Sequence, residues 1–208
     1  MIVEPSSTFP ASNPCQVEVL TVRALTHQHL LKGEMCKISL IMWRSSKIER
    51  QCRSPGGAET LATIECEDAM YAIRLQLFEM LGNKVDVRAT EPQVALIPAV
   101  IVTDSTNVHD RMRSEIYVPK GPEHRTALEL LGLKESIVRT RTPIRWVHSG
   151  AQLANPMTKD SEQQQFHRFF ALGQEWKIPL MRSARNRKKD GLDPLEDVPA
   201  EPRPSAPS

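Results

Sequence analysis

The chain has 208 residues, 40% of them hydrophobic and 25% charged, which suits one domain with a buried core plus tails. A formal charge of +2 provides no bulk field for nucleic acid, so any basic partner surface has to be local. No apolar run approaches membrane-spanning length and Met1–Pro5 begins no signal peptide, so the expectation is an intracellular protein, cytoplasmic or nuclear, with no membrane partner.

Residues 1–15 combine Pro, Ser and Asn with few apolar side chains and read as a flexible, disordered arm. Residues 16–25 (QVEVLTVRAL) form a plausible strand. Residues 26–35 carry a Lys-Gly turn signal, and His27 and His29 there lack a nearby third metal ligand, so they read as exposed loop histidines. Residues 36–43 (CKISLIMW) read as a second strand, antiparallel to the first because the connection is short. The four cysteines, Cys15, Cys36, Cys52 and Cys66, form no CxxC pair and have no histidine at zinc-finger spacing, which points to buried free thiols in a reducing compartment.

After that strand, Arg44, Lys47, Arg50 and Arg53 recur every three residues. On a turn or short helix they could share one side and meet phosphates, although such a run is more often solvated surface. Residues 54–57 (SPGG) break the chain before a long helical pattern over 58–81, whose apolar face is expected from Leu61, Ile64, Ala69, Ala72, Ile73, Leu75, Leu77 and Met80. Gly82-Asn83 stops it. Glu59 lies in its first turn, where the helix dipole alone accounts for an acid.

Residues 84–98 read as a connection. The β-branched run 99–103 is a strand buried on both faces, ending in Asp104-Ser105 as a helix N-cap. Side chains there lie at the carboxyl edge of the sheet, where open α/β folds place ligands; the plainer reading is a capping pair. A short helix follows over 105–113, a longer one over 122–138 with Pro at its start, and a strand over 143–147. Residues 150–159 and 161–176 read as helices, the latter anchored by Phe166, Phe169, Phe170 and Leu172. Residues 182–189 are basic, and the rest of 177–208 is acidic, proline-rich and expected to be disordered. The expected organisation is therefore an arm (1–15), a domain (16–176) and a tail (177–208).

Three passages in this order resemble the RNase H domain of copia-type retrotransposon Pol polyproteins, which also carry a reverse transcriptase. Residues 38–74 are similar to its strand followed by W-x-S-x-K and S-x-x-A-E-x-x-A. Residues 99–110 (AVIVTDSTNVHD) are similar to its strand-D-S/N passage, and residues 144–159 (IRWVHSGAQLANPMTK) to its closing W/Y-V-P-x-x-x-Q-L-A-D-x-x-T-K. The resemblance implies an α/β, RNase H-like fold, with a mixed sheet antiparallel in its first strands and parallel in its later ones, and helices on both faces.

It also implies four carboxylates around two Mg²⁺ ions that cut the RNA strand of an RNA–DNA hybrid, since two close dications need several anionic oxygens between them. Carried over by position, Glu59 and Asp104 are the retained metal-binding acids. Asn155 stands where the family has Asp, and His148 where it has Pro. The family's first strand ends in an Asp, but here no Asp precedes Asp68, so that strand is expected to be missing, or replaced by residues 16–25.

The implied partners are an RNA–DNA hybrid or other nucleic acid, with no small-molecule substrate. The expectation is a degenerate RNase H-like domain, inactive alone, with ancestral Mg²⁺ binding weak or lost. One alternative is an active ribonuclease completed by upstream polyprotein sequence; another is a non-catalytic nucleic-acid-binding module using Arg44, Lys47, Arg50 and Arg53 or residues 182–189.

Overall fold

The computed structural model describes residues 2–8, 18–47, 54–114, 124–155 and 163–178. In chain order they form β1 (Ile2–Thr8), β2 (Glu18–Thr26), β3 (Cys36–Lys47), α1 (Pro55–Met80), α2 (Thr90–Val94), β4 (Val100–Thr103), α3 (Thr106–Arg113), α4 (His124–Thr140), β5 (Ile144–Trp146), α5 (Gln163–Ala171) and β6 (Glu175–Trp176). Short 3₁₀ turns lie at Gln28–Lys32 and Ser149–Ala151.

The strands make one mixed sheet in the order β5-β4-β1-β2-β3-β6. β1, β2 and β3 run antiparallel, joined by short connections, and β4 lies parallel to both β1 and β5. The register sets Ile2 beside Val100 and Val3 beside Ile101, then Ile101 beside Ile144 and Thr103 beside Trp146. β6 pairs with β3 only at Cys36 and Lys37.

The central strand β1 corrects two expectations: residues 2–8 are not an arm, and residues 16–25 do not fill a vacancy in the sheet. β2 lies beside β1 instead. Composition hides β1 because Pro5 cannot donate a ladder hydrogen bond and is normally confined to strand edges. Its pairing with two neighbours over Ile2 and Val3 outweighs that local penalty.

β4 is buried along its whole length, as its unbroken apolar run requires. Val100 and Val102 face a core completed by Ala24, Leu30, Ile38, Val147, Leu153, Phe169, Trp176 and Ile178. Ile101 and Ala99 face the other way, against Cys66 and Met70 of α1 with Ile137 and Ile144 alongside. Helices therefore cover both faces, α1 and α4 on one and α5 on the other. Cys36 and Cys66 are buried free thiols; Cys15 and Cys52 lie outside the described residues.

α1 buries a different stripe from the one its large apolar residues suggest. Ala58, Ala62, Cys66, Met70, Arg74 and Phe78 recur every four residues and are all buried, whereas Met80 is 81% exposed. Small side chains in the first half of that stripe let the helix lie close on the sheet. Ser54 caps it by accepting from the Gly57 amide at 3.1 Å, and Gly82, at φ 85°, follows its end.

Arg74 completes the stripe as a buried cation. Its Nε donates to the Ile97 carbonyl at 2.7 Å, Nη1 to Thr142 Oγ1 at 2.6 Å and Nη2 to the Thr140 carbonyl at 2.8 Å. Burial pulls its guanidinium below the ordinary arginine range, and Glu67 opposes that shift.

Three smaller corrections concern the chain's second half. The connection 84–98 contains the helical turn α2, with Pro92 in its first turn, where a missing N–H costs nothing. The C-terminal helix stops at Ala171, and Gly173 (φ 69°) and Gln174 (φ 63°) turn the chain into β6. The stretch expected as a helix over 150–159 begins as the 3₁₀ turn at Ser149–Ala151, and residues 156–159 lie outside the described residues. Among the described residues no helix is long and apolar enough to cross a membrane.

Arg74→Met should lower stability by about 3–5 kcal/mol, because it strands buried carbonyls as well as removing the cation. Urea unfolding checks the size. Amide exchange should show the largest loss of protection in β4 and β5.

Candidate functional site

The carboxyl end of β4 carries Asp104, half-buried, with Ser105 directly after it as the cap of α3. Ser105 Oγ accepts from the Val108 amide at 3.2 Å, and its own amide donates to Thr103 Oγ1 at 3.1 Å. Trp146, at the end of β5, donates its indole Nε1–H to the Asp104 carbonyl at 2.9 Å. Ser105 therefore does the capping, and the Asp104 side chain is left at the sheet edge.

Glu59 reaches the same place from α1. The Ser105 hydroxyl bonds its carboxylate, and the charge of Asp104 is near enough to act on it. α1 and α3 approach closely here. A Cβ on Gly56 would come within 2.0 Å of Asn107 Nδ2, so a larger residue would force Asn107 aside. Burial raises the Glu59 carboxyl above the ordinary glutamate range, Asp104 adds to the rise, and the Ser105 hydrogen bond opposes it.

Asn155 arrives from the segment after Ser149–Ala151 and is fully buried. Its Nδ2 donates to the Ser149 carbonyl at 2.8 Å and to Asp104 Oδ2 at 3.2 Å. Both partners are acceptors, so only an amide nitrogen satisfies them. Trp176 Nε1 anchors the same segment by donating to the Ala151 carbonyl at 3.0 Å.

The structure thus brings Glu59, Asp104 and Asn155 together. Sequence reasoning had assigned them by motif position alone. It had not reached Ser6 of β1. Continued three residues beyond Val3 and Ile101, the parallel register sets Ser6 level with Asp104. Glu4 is the only acid in β1, two positions earlier.

Mg²⁺ takes hard oxygen donors, and a two-ion centre requires several carboxylates. Glu59 and Asp104 supply two. The amide nitrogen of Asn155 is directed at Asp104, where a third carboxylate would share a cation. Among the described residues no group of three or more His, Cys, Asp or Glu side chains is placed to hold a metal ion. The donor set does not fit a two-ion centre, because Asn155 does for Asp104 part of what a cation would do.

The other candidates lie elsewhere. Arg44 is exposed on β3. Because residues 44–47 are extended rather than helical, positions 44 and 47 fall on alternate faces of the pleat and not on one side. Arg50, Arg53 and residues 182–189 lie outside the described residues. His148 is half-buried after β5. His27 and His29 stack edge to face with ring centroids 4.2 Å apart; His27 caps the 3₁₀ turn, and His29 sits 3.2 Å from Glu34.

No family model, no curated protein and no solved structure matches the chain.

Two variants test the electrostatics. Asn155→Asp replaces a donor with a carboxylate facing Asp104, which should cost about 2–3 kcal/mol at neutral pH. The new acid's folded pKa is raised, so the charge-dependent part of the loss should be absent below about pH 4, the unfolded aspartate value, grow above it and level off once pH passes the folded value. Added Mn²⁺ should return part of the stability. Glu59→Gln keeps an acceptor for Ser105 but removes a charge that the fold disfavours. Since the folded Glu59 pKa is raised, the variant should be more stable than the parent at pH 7 and equal to it below about pH 4, the unfolded glutamate value. Thermal melts across that range check both.

Proposed function

We propose that the chain is a degenerate RNase H-like domain of copia-type retroelement descent that does not hydrolyse RNA by itself. One observation carries this reading. Glu59, Asp104 and Asn155, singled out by motif similarity in three separate passages, are neighbours at one end of the sheet. Chance agreement of short motifs gives no reason for them to meet. The strand order agrees with the proposal, with three antiparallel strands followed by two parallel ones and the first strand central.

The inactivity follows from charge. A two-ion phosphodiester hydrolysis needs carboxylates to hold both dications while water attacks and the leaving oxygen departs. Here Ser6 and Asn155 occupy the levels at which further acids would be required. Glu59 and Asp104 remain as ancestral Mg²⁺ ligands with reduced affinity. Completion by a strand from upstream polyprotein sequence is the weaker alternative, since β1 already occupies the position between β4 and β2.

Incubation of the protein with a 5′-labelled RNA–DNA hybrid in Mg²⁺ or Mn²⁺ should give no cleavage above blank. The double variant Ser6→Asp, Asn155→Asp should gain divalent-dependent cleavage that Asp104→Ala abolishes. Cleavage by the unaltered chain, lost in Asp104→Ala, would overturn the inactivity. A double variant that folds and binds Mn²⁺ yet leaves the hybrid intact would remove the support for ribonuclease ancestry.

A further inference from the structure

The edge of the sheet formed by β3, two strands beyond β1, is partly open. β3 is twelve residues long and pairs with β2 over residues 38–47, but β6 covers its outer side only at Cys36 and Lys37. The Ile38 amide still donates outward, to the Gln174 carbonyl at 2.8 Å. Beyond it, among the described residues, no strand pairs with that side of β3.

The exposed stretch is apolar. Ile41, Met42 and Trp43 are 42%, 45% and 61% exposed, three consecutive large side chains. A bulge produces this arrangement: Ala24 pairs with Leu40 and Arg23 with Met42, leaving Ile41 as the extra residue. Past it, Met42 joins Arg23 on the α1 face, its Sδ accepting from Arg23 Nη1 at 3.4 Å, while Trp43 takes the opposite face. The strand end therefore offers apolar surface on both faces and unpaired backbone groups between them. Soluble proteins normally protect such an edge.

Charge selects the occupant. The only charged residues of β3 are Lys37, Arg44 and Lys47, all cationic. A second copy pairing edge to edge would bring cations together along a shared ribbon. A nucleic acid could meet the cations and stack on Trp43, but it has no repeating N–H and C=O row to pair with the strand. An extended peptide has that row, and acidic residues in it complement Arg44 on the open stretch, Lys37 being already paired with Glu175 of β6. We infer that the open edge of β3 takes up an extended acidic and apolar segment of a partner protein as an added strand.

The test uses the full chain and a synthetic seven-residue peptide alternating Glu with Val or Ile. Trp43 fluorescence should report saturable binding, with the Glu→Lys counterpart at least tenfold weaker. The same peptide N-methylated along its pairing edge keeps composition and charge but cannot form the ladder, and should also be at least tenfold weaker. Trp43→Lys, at an exposed position, should abolish the binding as read by titration calorimetry, which does not depend on the indole, without lowering the melting temperature. Equal binding of the N-methylated peptide, or no binding of the parent peptide, overturns the inference. So does tighter binding of a single-stranded oligonucleotide at this edge, or a concentration-dependent dimer that Trp43→Lys removes.

Discussion

The buried guanidinium of Arg74 is the constraint on which the rest of the structure depends. It lies on the sheet-facing stripe of α1 and ties down Ile97 before β4 and Thr140 and Thr142 before β5. Those are the starts of the two parallel strands. Fixing the starts fixes where the strands finish, and Asp104 and Trp146 stand at those finishing points. One helix thereby holds the two strands through Arg74 near its far end and contributes Glu59 from just beyond its first turn. A buried cation with all three donor groups engaged is costly to desolvate, but once satisfied it permits few alternative packings.

Glu67 belongs to the same arrangement. It is buried on α1, accepts from Ser136 Oγ at 2.7 Å and lies close enough to Arg74 to interact with it. Burial raises its carboxyl, Asp68 adds to the rise, and the Ser136 bond and Arg74 oppose it. It thus holds α4 against α1 by a polar contact, beside a groove of about 320 Å³ lined partly by Leu61, Ile64 and Leu133. The large apolar residues expected to face the sheet partly line this helix–helix seam instead.

The carboxyl end of β4 and the open edge at β3 have different physical characters. At the carboxyl end of β4, Ser105 caps α3 and the Asn155 amide donates to Asp104 and to the Ser149 carbonyl. At the far end of β3 the backbone and three large apolar side chains are left open.

The sequence by itself determined the parts governed by local pattern and motif. These were the long helix after SPGG, the buried strand ending at Asp104, the β2–β3 hairpin, and the positions of Glu59, Asp104 and Asn155. Periodicity, capping residues and an unbroken β-branched run are legible within a few residues of one another. Tertiary structure alone decided that Ile2–Thr8 is the central strand, since Pro5 and the polar run around it argue locally for an arm, and only pairing with β2 and β4 outweighs that. It alone made Arg74 a core residue, because a lone arginine in a helix reads as surface until two distant carbonyls and a threonine surround it. It also set Ser6 level with Asp104, a fact of strand register, which depends on which chains lie side by side and not on the residues next in sequence.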